Sequence, residues 1–344
     1  MTSLSLRNLG WSPFFQSTLG LDDLAAGEPA RVAAVHRTAI DVLSAAGAER
    51  IETGPALPSA ALAVGDWLLV DRATRRPIRL LDRKSLMSRR AAGTAVETQL
   101  IAANLDTLFI VTSCNAEFSI ARLERYLALA RQSDIVPVLV LTKADTCPDP
   151  DVYADRARAL SSSLPVEPVN ALDSGSLGRL EAWCGVGQTV ALVGSSGVGK
   201  STLANALTGG AQATTQGIRE EDAHGRHTTT ARSLARTRAG GRLIDTPGMR
   251  ALRLADAADG IAAVFDEIDA LAGRCRFRDC GHSGEPGCAI QAAIDGGRVD
   301  PDRVRRWMKL AREDARNSAS LAESRRRSKA FGKVARAAIA AKNA

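Results

Sequence analysis

Aromatic residues are scarce in this chain, at 4% of 344 residues. Because so few rings are available, we expect any contact with RNA to depend on shape and phosphates more than on base stacking. The sequence also has no apolar run of eighteen residues, and its first residues lack a charged start followed by an apolar core. We therefore expect neither a membrane-spanning helix nor a secretory signal, and we expect a cytoplasmic protein.

Positive charge is in excess, but it is concentrated at one end of the chain. There are 45 Lys and Arg residues against 38 Asp and Glu, a net charge of +7. Residues 302–344 alone hold 13 basic and 4 acidic residues, so the remainder of the chain is slightly acidic. A basic segment such as 325–329 suits the phosphate backbone of a nucleic acid, and a merely solubilising helix or tail is the alternative.

A glycine-rich loop follows the apolar, β-rich run at 188–193, which predicts a buried strand. Glycines free backbone N–H groups to wrap phosphate oxygens, and the N-terminus of the next helix favours anions. We expect Lys200 to reach the β- and γ-phosphates and to be catalytic, and the Ser201 hydroxyl to ligate Mg²⁺. The residues of the loop predicted to bind nucleotide are Gly194, Ser195, Ser196, Gly197, Val198, Gly199, Lys200, Ser201 and Thr202.

A second run, 241–245, predicts a strand that ends in a carboxylate and continues as Asp-Thr-Pro-Gly. In a GTPase, Asp245 would hold the magnesium through water and the Gly248 N–H would face the γ-phosphate. The tetrapeptide alone is equally compatible with a surface turn, because Pro and Gly favour turns. Together with the phosphate loop it indicates the metal side of a nucleotide site.

A third apolar run, 135–141, predicts a strand that ends in Thr-Lys-Ala-Asp, where ligands bind in an open α/β sheet. Guanine presents two adjacent donors that one carboxylate accepts together, and adenine has no such pair. We therefore expect Asp145 to select guanine, the Lys143 stem to lie against the ring, and Thr142 to belong to the same site. A solvated Lys/Asp pair at a strand end is the alternative for the tetrapeptide in isolation.

The run at 166–171 ends a predicted strand and carries a fourth nucleotide motif, which is less specific than the other three. GTPases usually have Ser-Ala at this place, with backbone N–H groups that touch the guanine oxygen. Asn170 and Ala171 occupy the two positions here, and we assign both to the nucleotide site. A plain turn between a strand and a helix is the alternative.

The segment between the phosphate loop and Asp245 contains Gly-Arg-His-Thr-Thr-Thr at 225–230. One of its threonines should coordinate Mg²⁺ once GTP is bound, and Thr228 and Thr229 are our candidates. Met249 occupies the position where many GTPases carry a glutamine that orients water, and a thioether cannot do this. His227 is the nearest titratable candidate for that role, and a structural hydrogen bond is the alternative.

Three cysteines and one histidine lie within fourteen residues near the C-terminus: Cys275, Cys280, His282 and Cys288. Thiolate and imidazole ligands suit tetrahedral Zn²⁺, and four protein ligands leave no open position, so we predict one structural zinc. Free thiols or disulfides are the alternatives, but disulfides are rare in cytosolic enzymes. The other cysteines are scattered and are interpreted as core or surface thiols: Cys114, Cys147 and Cys184.

The order of these motifs along the chain is informative in itself. The base-reading motif comes first, at 142–145, the phosphate loop follows at 194–201, and Asp-Thr-Pro-Gly comes last, at 245–248. In an ordinary GTPase the phosphate loop leads and the base-reading motif closes. The same parts in a rotated order indicate a circularly permuted GTPase.

The sequence resembles the ribosome small-subunit-dependent GTPase A family of bacteria. The resemblance covers roughly residues 30–310 and rests on 194–202, 225–230, 243–248 and, most specifically, the cysteine-rich 275–288. It implies GTP hydrolysis stimulated by the small ribosomal subunit during its late maturation. Two positions depart from the usual pattern: Asn170 in place of Ser, and Thr142 where Asn is often found.

The resemblance also implies the fold class, a multidomain α/β protein with room for two or three cores. The expected parts are an N-terminal arm of uncertain order, an N-terminal β-barrel of the oligonucleotide-binding (OB-like) type, a circularly permuted P-loop GTPase domain, and a C-terminal α-rich zinc-binding domain with a basic tail. We place them at 1–29, 30–95, 96–255 and 256–344. Short β segments at 30–37, 38–42 and 65–71 fit the barrel, as they would other small barrels, and 89–98 fits a linker.

The expected ligands are GTP and GDP, Mg²⁺ with GTP, and one Zn²⁺. The expected partner is the small ribosomal subunit with its rRNA. We expect a monomer that does not associate with a membrane. An RNA-binding scaffold that holds GTP or GDP with negligible hydrolysis is the alternative function. A third possibility, an ATP-dependent kinase, leaves Asp145 and the Asp-Thr-Pro-Gly motif unexplained.

Overall fold

The structure, a computed structural model, describes residues 5–90, 98–210, 233–245, 254 and 256–319. Contacts group the chain into two units, each with its own packing. The first comprises Met1–Ser88 and Leu100–Ala251, and the second comprises Arg89–Gln99 and Leu252–Ala344.

The N-terminal arm of the first unit is packed, although the sequence left its order open. It forms a 3₁₀ turn at Leu6–Leu9 and two short helices, α1 (Pro13–Ser17) and α2 (Leu21–Ala26). Leu9 and Phe15 are buried, and the rings of Trp11 and Phe15 lie 4.8 and 5.7 Å from the ring of Trp67. Burial of these large apolar side chains accounts for the order of the arm.

Five antiparallel strands follow the arm in the order β3-β2-β1-β4-β5. They are β1 (Gly27–Val35), β2 (Ala39–Ser44), β3 (Gly47–Glu52), β4 (Trp67–Asp71) and β5 (Pro77–Leu80). The β segments predicted at 30–37, 38–42 and 65–71 are confirmed as strands. One face of the sheet encloses a core of Ala30, Val32, Ile40, Val42, Ile51, Leu62, Leu68 and Val70.

Strand β1 begins three residues before the predicted boundary, at Gly27. A Cβ atom at Gly27 would lie 2.7 Å from the Val70 carbonyl oxygen, so the close approach of β4 requires glycine there. The predicted linker at 89–98 is bordered by two paired strands, β6 (Leu86–Arg90) and β7 (Thr98–Ala103). The residues between these two strands lie outside the described part of the chain.

A six-stranded mixed sheet forms the centre of the rest of the first unit. Its strands are β8 (Thr107–Ser113), β9 (Val136–Thr142), β10 (Val166–Pro168), β11 (Thr189–Val193), β12 (Ser233–Arg236) and β13 (Arg242–Asp245). Their order is β10-β9-β8-β11-β13-β12, and only β12 runs antiparallel to its neighbour. The strands predicted at 135–141, 166–171, 188–193 and 241–245 are confirmed, and β8 is a strand that the sequence analysis missed.

Five α-helices flank this sheet in the part of the unit that the structure describes: α3 (Ile120–Gln132), α4 (Pro150–Arg158), α5 (Ser174–Leu177), α6 (Glu181–Cys184) and α7 (Lys200–Thr208). Helix α3 buries Leu123, Tyr126, Leu127 and Ala130, which recur at the three- and four-residue spacing of one helical face. Strands β8 and β9 are buried over nearly their whole length, as expected for parallel strands covered on both faces.

From residue 254 onward, the described part of the second unit consists of helices and the turns that join them. It contains α8 (Ala258–Val264), α9 (Asp266–Ala272), α10 (Ala289–Asp295) and a long helix, α11, that covers 301–319. Side chains near the end of α11 hold the chain at 254–257, because Asn317 donates to the Leu254 carbonyl at 2.6 Å and Asp314 accepts from the Ala257 N–H at 2.9 Å. In the described ranges, no helix is long and apolar enough to cross a membrane.

Candidate active site and metal centre

The predicted nucleotide motifs gather at one edge of the six-stranded sheet. The chain runs outward from β8 through β9 to β10, then returns to place β11 on the other side of β8. In an open α/β sheet such a reversal creates a crevice at the carboxyl ends of the strands, where ligands bind. The phosphate loop follows β11, and the base-reading motif follows β9, two strands away.

The phosphate loop needs its first glycine for a steric reason. Gly194 has a φ of +147°, and a Cβ atom there would clash with the Val111 carbonyl on β8. Gly199 has a φ of +89° and precedes helix α7, whose free N–H groups and dipole favour an anion. Ser196, Gly197, Ser201 and Thr202 are exposed, so these parts of the loop and helix are accessible to a ligand.

Lys200 is the first residue of α7 and folds back over the loop. Its Nζ atom donates to the Ser195 carbonyl oxygen. The ammonium group therefore lies over the concave side of the loop, where phosphate oxygens would be bound by backbone N–H groups. This position agrees with the phosphate-binding role predicted for Lys200.

Thr142 connects the base-reading motif to the phosphate loop. Its buried hydroxyl lies 2.6 Å from the Val198 carbonyl oxygen and 3.1 Å from the Thr112 carbonyl oxygen. A single hydroxyl hydrogen serves these two acceptors, and the shorter distance favours Val198. Although Thr142 replaces the usual asparagine, its hydroxyl still links the base-reading motif directly to the phosphate loop.

Lys143 and Asp145 lie on the open side of the same motif. Lys143 adopts a left-handed backbone with φ of +57°, and its Nζ donates to the Gly197 carbonyl at 3.0 Å. The Asp145 side chain is exposed, and no described residue is paired with its carboxylate. A lysine held across the loop beside a carboxylate without a partner fits the predicted guanine pocket.

Asn170 follows β10, the parallel neighbour of β9, and so lies at the same edge. Its side-chain oxygen accepts from the Leu172 N–H at 2.9 Å, and its backbone N–H donates to the Ser176 hydroxyl at 2.9 Å. The Asn170 side chain therefore shapes the turn. Ala171 is partly buried against the core beneath the turn.

The metal side of the site is described only in part. Asp245 ends β13, which runs parallel to β11, so its backbone lies at the carboxyl edge beside the phosphate loop. A serine hydroxyl at Ser201 and a carboxylate at Asp245 are the oxygen ligands that Mg²⁺ prefers. The other predicted residues lie outside the described part of the chain: His227, Thr228, Thr229, Gly248 and Met249.

The predicted zinc ligands come together in the second unit. Their ligand atoms all lie within 4.8 Å of one another, and His282 Nδ1 is 3.6 and 3.7 Å from the sulfurs of Cys275 and Cys288. With Zn–S and Zn–N bonds of about 2.3 and 2.0 Å, tetrahedral ligands are separated by about 3.5–3.8 Å. The group can therefore hold a tetrahedral metal ion through Nδ1 of the histidine.

Glu285 holds the loop that carries two of these ligands. Its carboxylate accepts from the Gly281 and Ser283 N–H groups at 2.9 and 2.7 Å, and it lies 3.7 Å from the Cys280 sulfur. His282 has a φ of +56°, and its ring packs 5.4 Å from the ring of Trp307 on α11. Supporting contacts of this kind fix the direction of metal ligands.

The other cysteines lie outside this cluster. Burial raises the pKa of Cys114 to about 11 and that of Cys184 to about 12, so both remain protonated thiols at neutral pH. Protonated thiols are poor nucleophiles and poor metal ligands. The interpretation of Cys114 and Cys184 as core thiols is confirmed, and Cys147 is half-buried.

Two buried arginines that the sequence analysis missed attach the N-terminal arm to the strands of the site. Arg31 on β1 donates to the carbonyl of Leu9 and, at 2.9 Å, to the hydroxyl of Thr189 at the start of β11. Arg242 at the start of β13 donates to the Asn8 carbonyl at 3.1 Å. Burial lowers the pKa of each guanidinium to about 10, so both stay charged at neutral pH.

Comparison with known proteins gives a family for this arrangement. The family model described as RsgA GTPase matches residues 80–255. A second model, described as ABC transporter, matches residues 177–337, a range that also contains the phosphate loop. Because this loop recurs throughout P-loop nucleotide-binding proteins, the second match reflects a shared phosphate-binding motif.

Curated relatives are similar over nearly the whole chain. The small ribosomal subunit biogenesis GTPase RsgA 2 of Vibrio parahaemolyticus is 50% identical, over 97% of this chain and 93% of the relative. The small ribosomal subunit biogenesis GTPase RsgA of Mesorhizobium japonicum is 52% identical, over 92% of each chain.

Solved structures are similar in fold. YjeQ from Thermotoga maritima aligns with a TM-score of 0.60 at 24% identity, over 82% of this chain and 96% of that chain. YloQ, described as a circularly permuted GTPase, aligns with a TM-score of 0.58 at 22% identity, over 88% and 96% of the two chains. The strand order and these neighbours together confirm the circularly permuted GTPase fold.

Proposed function

The chain belongs to the RsgA GTPase family, and from this premise we propose that it hydrolyses GTP as a maturation factor of the small ribosomal subunit, which stimulates the reaction. The observation that carries the proposal is identity of about half over 97% of the chain to a relative named for that role. The linked phosphate and base motifs at one sheet edge are consistent with it, because a GTPase needs both around one nucleotide.

Within that reaction the chain's own residues bind and orient GTP. We assign the phosphates to the backbone N–H groups of 194–199 and to Lys200, and the metal to Ser201 and Asp245 with one threonine of Thr228 and Thr229. Mg²⁺, when bound, neutralises charge on the β- and γ-phosphates. In this assignment Gly248 faces the γ-phosphate. Met249 stands where many GTPases have a glutamine that orients the attacking water, and we assign that role to His227.

On the base side, Asp145 accepts from the two guanine donors while the Lys143 stem covers one face of the ring. Thr142 fixes the distance between this pocket and the phosphate loop through Val198. Ala171 supplies its backbone N–H to the guanine oxygen, and Asn170, whose own N–H donates to the Ser176 hydroxyl, shapes the turn that presents it. The exposure of the Asp145 carboxylate and its lack of partners among the described residues support its assignment to a ligand.

We propose that the five-stranded sheet is an OB-like barrel that contacts rRNA in the cytoplasm. Arg75, in the turn between β4 and β5, supports closure of the sheet, because it forms ion pairs with Glu28 on β1 and Glu49 on β3. The only aromatic residue of the sheet, Trp67, is buried, so RNA contact depends on basic groups and shape. The basic segment after α11 adds further phosphate contacts.

We assign the metal of the second unit to zinc, held by Cys275, Cys280, His282 and Cys288. Three thiolates and an imidazole fit zinc better than Mg²⁺ or Ca²⁺, which prefer oxygen. Four protein ligands close the coordination shell, so this ion supports folding and takes no part in hydrolysis.

The domain assignments at 1–29, 30–95, 96–255 and 256–344 remain part of the proposal, as does a monomeric state.

A change of the preferred base from guanine to xanthine tests the assignment of Asp145 and of the nucleotide site. In Asp145→Asn, GTP affinity should fall by roughly 1–3 kcal/mol, because the charged acceptor for two donors is lost. Xanthosine triphosphate carries an oxygen at the 2-position and should become the better substrate. The measurement is hydrolysis of GTP and of xanthosine triphosphate, each with and without purified small subunits.

Asp151→Asn, an exposed carboxylate in the first turn of α4, is the matched control and should leave both activities unchanged. Stimulated hydrolysis that moves from GTP to xanthosine triphosphate would show that this site performs the stimulated reaction. If Asp145→Asn hydrolysed GTP with the affinity and rate of the wild type, the guanine assignment would be wrong.

A further inference from the structure

Arg122 is a cation beside the phosphate loop that none of the nucleotide motifs includes. It lies in the first turn of α3, after β8, the neighbour of the strand that carries the loop. Its Nη1 atom donates to the hydroxyl of Ser195, the second residue of the loop. Because 73 residues of chain separate Arg122 from Ser195, only the fold brings them together.

Lys200 reaches the same serine. Its Nζ donates to the Ser195 carbonyl while Arg122 donates to the Ser195 hydroxyl, so two cations converge on one residue of the loop. A bound nucleotide draws the lysine of a phosphate loop onto the β- and γ-phosphates. A guanidinium that shares Ser195 with Lys200 is therefore within a side-chain length of the same phosphates.

Arg122 is also available to a ligand. Its side chain is 39% exposed, and in the described part of the chain only its Nη1 atom makes hydrogen bonds. The ion pair with Glu117, at 3.3 Å, is half-exposed on both sides. Exposed pairs of this kind contribute little to stability, so a phosphate can replace the Glu117 carboxylate at little cost.

The reaction needs a cation at this place. Negative charge shifts from the γ-phosphoryl group toward the leaving oxygen as the bond between them breaks, and catalysis depends on donors that meet this charge. Arginine suits this task because it stays charged and presents a planar fork of donors to phosphate oxygens. Other GTPases receive such an arginine from their own chain or from a partner protein.

We propose that Arg122 is a catalytic residue of GTP hydrolysis, supplied by the chain itself to the γ-phosphate and the oxygen that bridges it to the β-phosphate. The water oxygen forms a bond to the γ-phosphorus, and the bond from that phosphorus to the bridging oxygen breaks. The electron pair of the broken bond stays on GDP, and the proton of the water passes to the released phosphate. Arg122 gives up no proton and stabilises charge throughout.

This inference rests on the GTPase part of the proposed function and does not depend on the ribosomal partner. The test compares full-length wild-type protein, Arg122→Ala, Arg122→Lys and the control Arg131→Ala. Arg131 is in the last turn of α3, remote from the phosphate loop, and pairs with Ser163 at 3.4 Å. The measurements are single-turnover hydrolysis of bound GTP with Mg²⁺, GDP affinity, and binding of GDP with aluminium fluoride, which imitates the transferring phosphoryl group.

Arg122→Ala should slow hydrolysis by about 10²-fold or more, because one donor to the developing charge is lost. GDP affinity should change by less than about twofold, and the complex with aluminium fluoride should be lost. Arg122→Lys keeps the charge without the fork and should give an intermediate rate. Arg131→Ala should match the wild type.

Wild-type turnover by Arg122→Ala would overturn the proposal. So would an equal loss of GDP and GTP affinity with unchanged turnover at saturation, because that result assigns Arg122 to support of the loop alone. If small subunits fail to stimulate the wild-type protein, the proposed ribosomal role fails. The ratio of the Arg122→Ala and wild-type rates without subunits then still decides the role of Arg122.

Discussion

Replacement of Lys200 with alanine should reduce GTP turnover by at least about 10³-fold, one of the largest effects expected of any substitution in the nucleotide site. The Lys200 ammonium lies over the phosphate loop, on the Ser195 carbonyl, and no other lysine of the described chain reaches that carbonyl. Without it the β- and γ-phosphates lose their nearest fixed positive charge. Steady-state phosphate release at saturating GTP measures the effect.

Arg179→Ala removes an exposed cation from the same unit and serves as the control, with wild-type turnover expected. Ser201→Ala should also abolish turnover, mainly by raising the Mg²⁺ concentration that nucleotide binding requires. If Lys200→Ala retained a tenth of wild-type turnover, the assignment of the phosphate loop as the catalytic site would be wrong. An unchanged Mg²⁺ dependence in Ser201→Ala would contradict the assignment of the metal.

Loss of one metal ligand should have the second large effect, on folding. Cys280→Ser should release the zinc and lower the unfolding temperature of the second unit, because binding energy at a structural zinc site is folding energy. Nucleotide affinity should remain near that of the wild type, since the phosphate loop and Asp145 belong to the other unit. Elemental analysis, thermal unfolding and GDP titration measure the three effects on one preparation.

Ser283→Ala is the matched control, because it changes a neutral side chain of the same loop and leaves all four ligands in place. It should keep one zinc per chain. Freshly purified wild-type protein without bound zinc would contradict the assignment, and so would Cys280→Ser protein with full zinc content and unchanged thermal unfolding.

The sequence predicted those parts of the fold that local chemistry specifies. Three short apolar runs precede the phosphate loop, Asp145 and Asp245 or end at them, and each run forms a strand in the structure. The group of three cysteines and one histidine was predicted as a metal site from residue type and spacing, and its possible ligand atoms lie within 4.8 Å of one another. Strand β8 was missed, although its residues Thr107–Ser113 are an equally apolar run.

Order in the N-terminal arm could not be predicted, because the contacts that hold it are distant in sequence. Arg242 reaches the Asn8 carbonyl across 234 residues, and Arg31 reaches Thr189 across 158 residues. The arm has apolar residues at Leu6, Leu9, Trp11 and Phe15, but their spacing does not show which distant strands they pack against. Two buried arginines that would be read as surface charges provide the attachment, and only the fold shows it.

The same limit applies to the side chains that join the motifs of the site. Thr142 looked like a departure from the usual asparagine, yet its hydroxyl reaches the Val198 carbonyl 56 residues away. Arg122 belongs to none of the sequence motifs, and only the structure places it on Ser195. Motif spacing identifies functional residues that are neighbours in the sequence, and tertiary contacts are needed to identify side chains that reach the site from elsewhere in the chain.

The rate of GTP hydrolysis by the full-length chain, measured alone, with purified small ribosomal subunits and with large subunits, tests the central claim most directly. We predict a rise of several-fold or more with small subunits only, and a loss of that rise as salt weakens the phosphate contacts. Equal rates under all three conditions would contradict the account, and would leave a nucleotide-binding scaffold as the function.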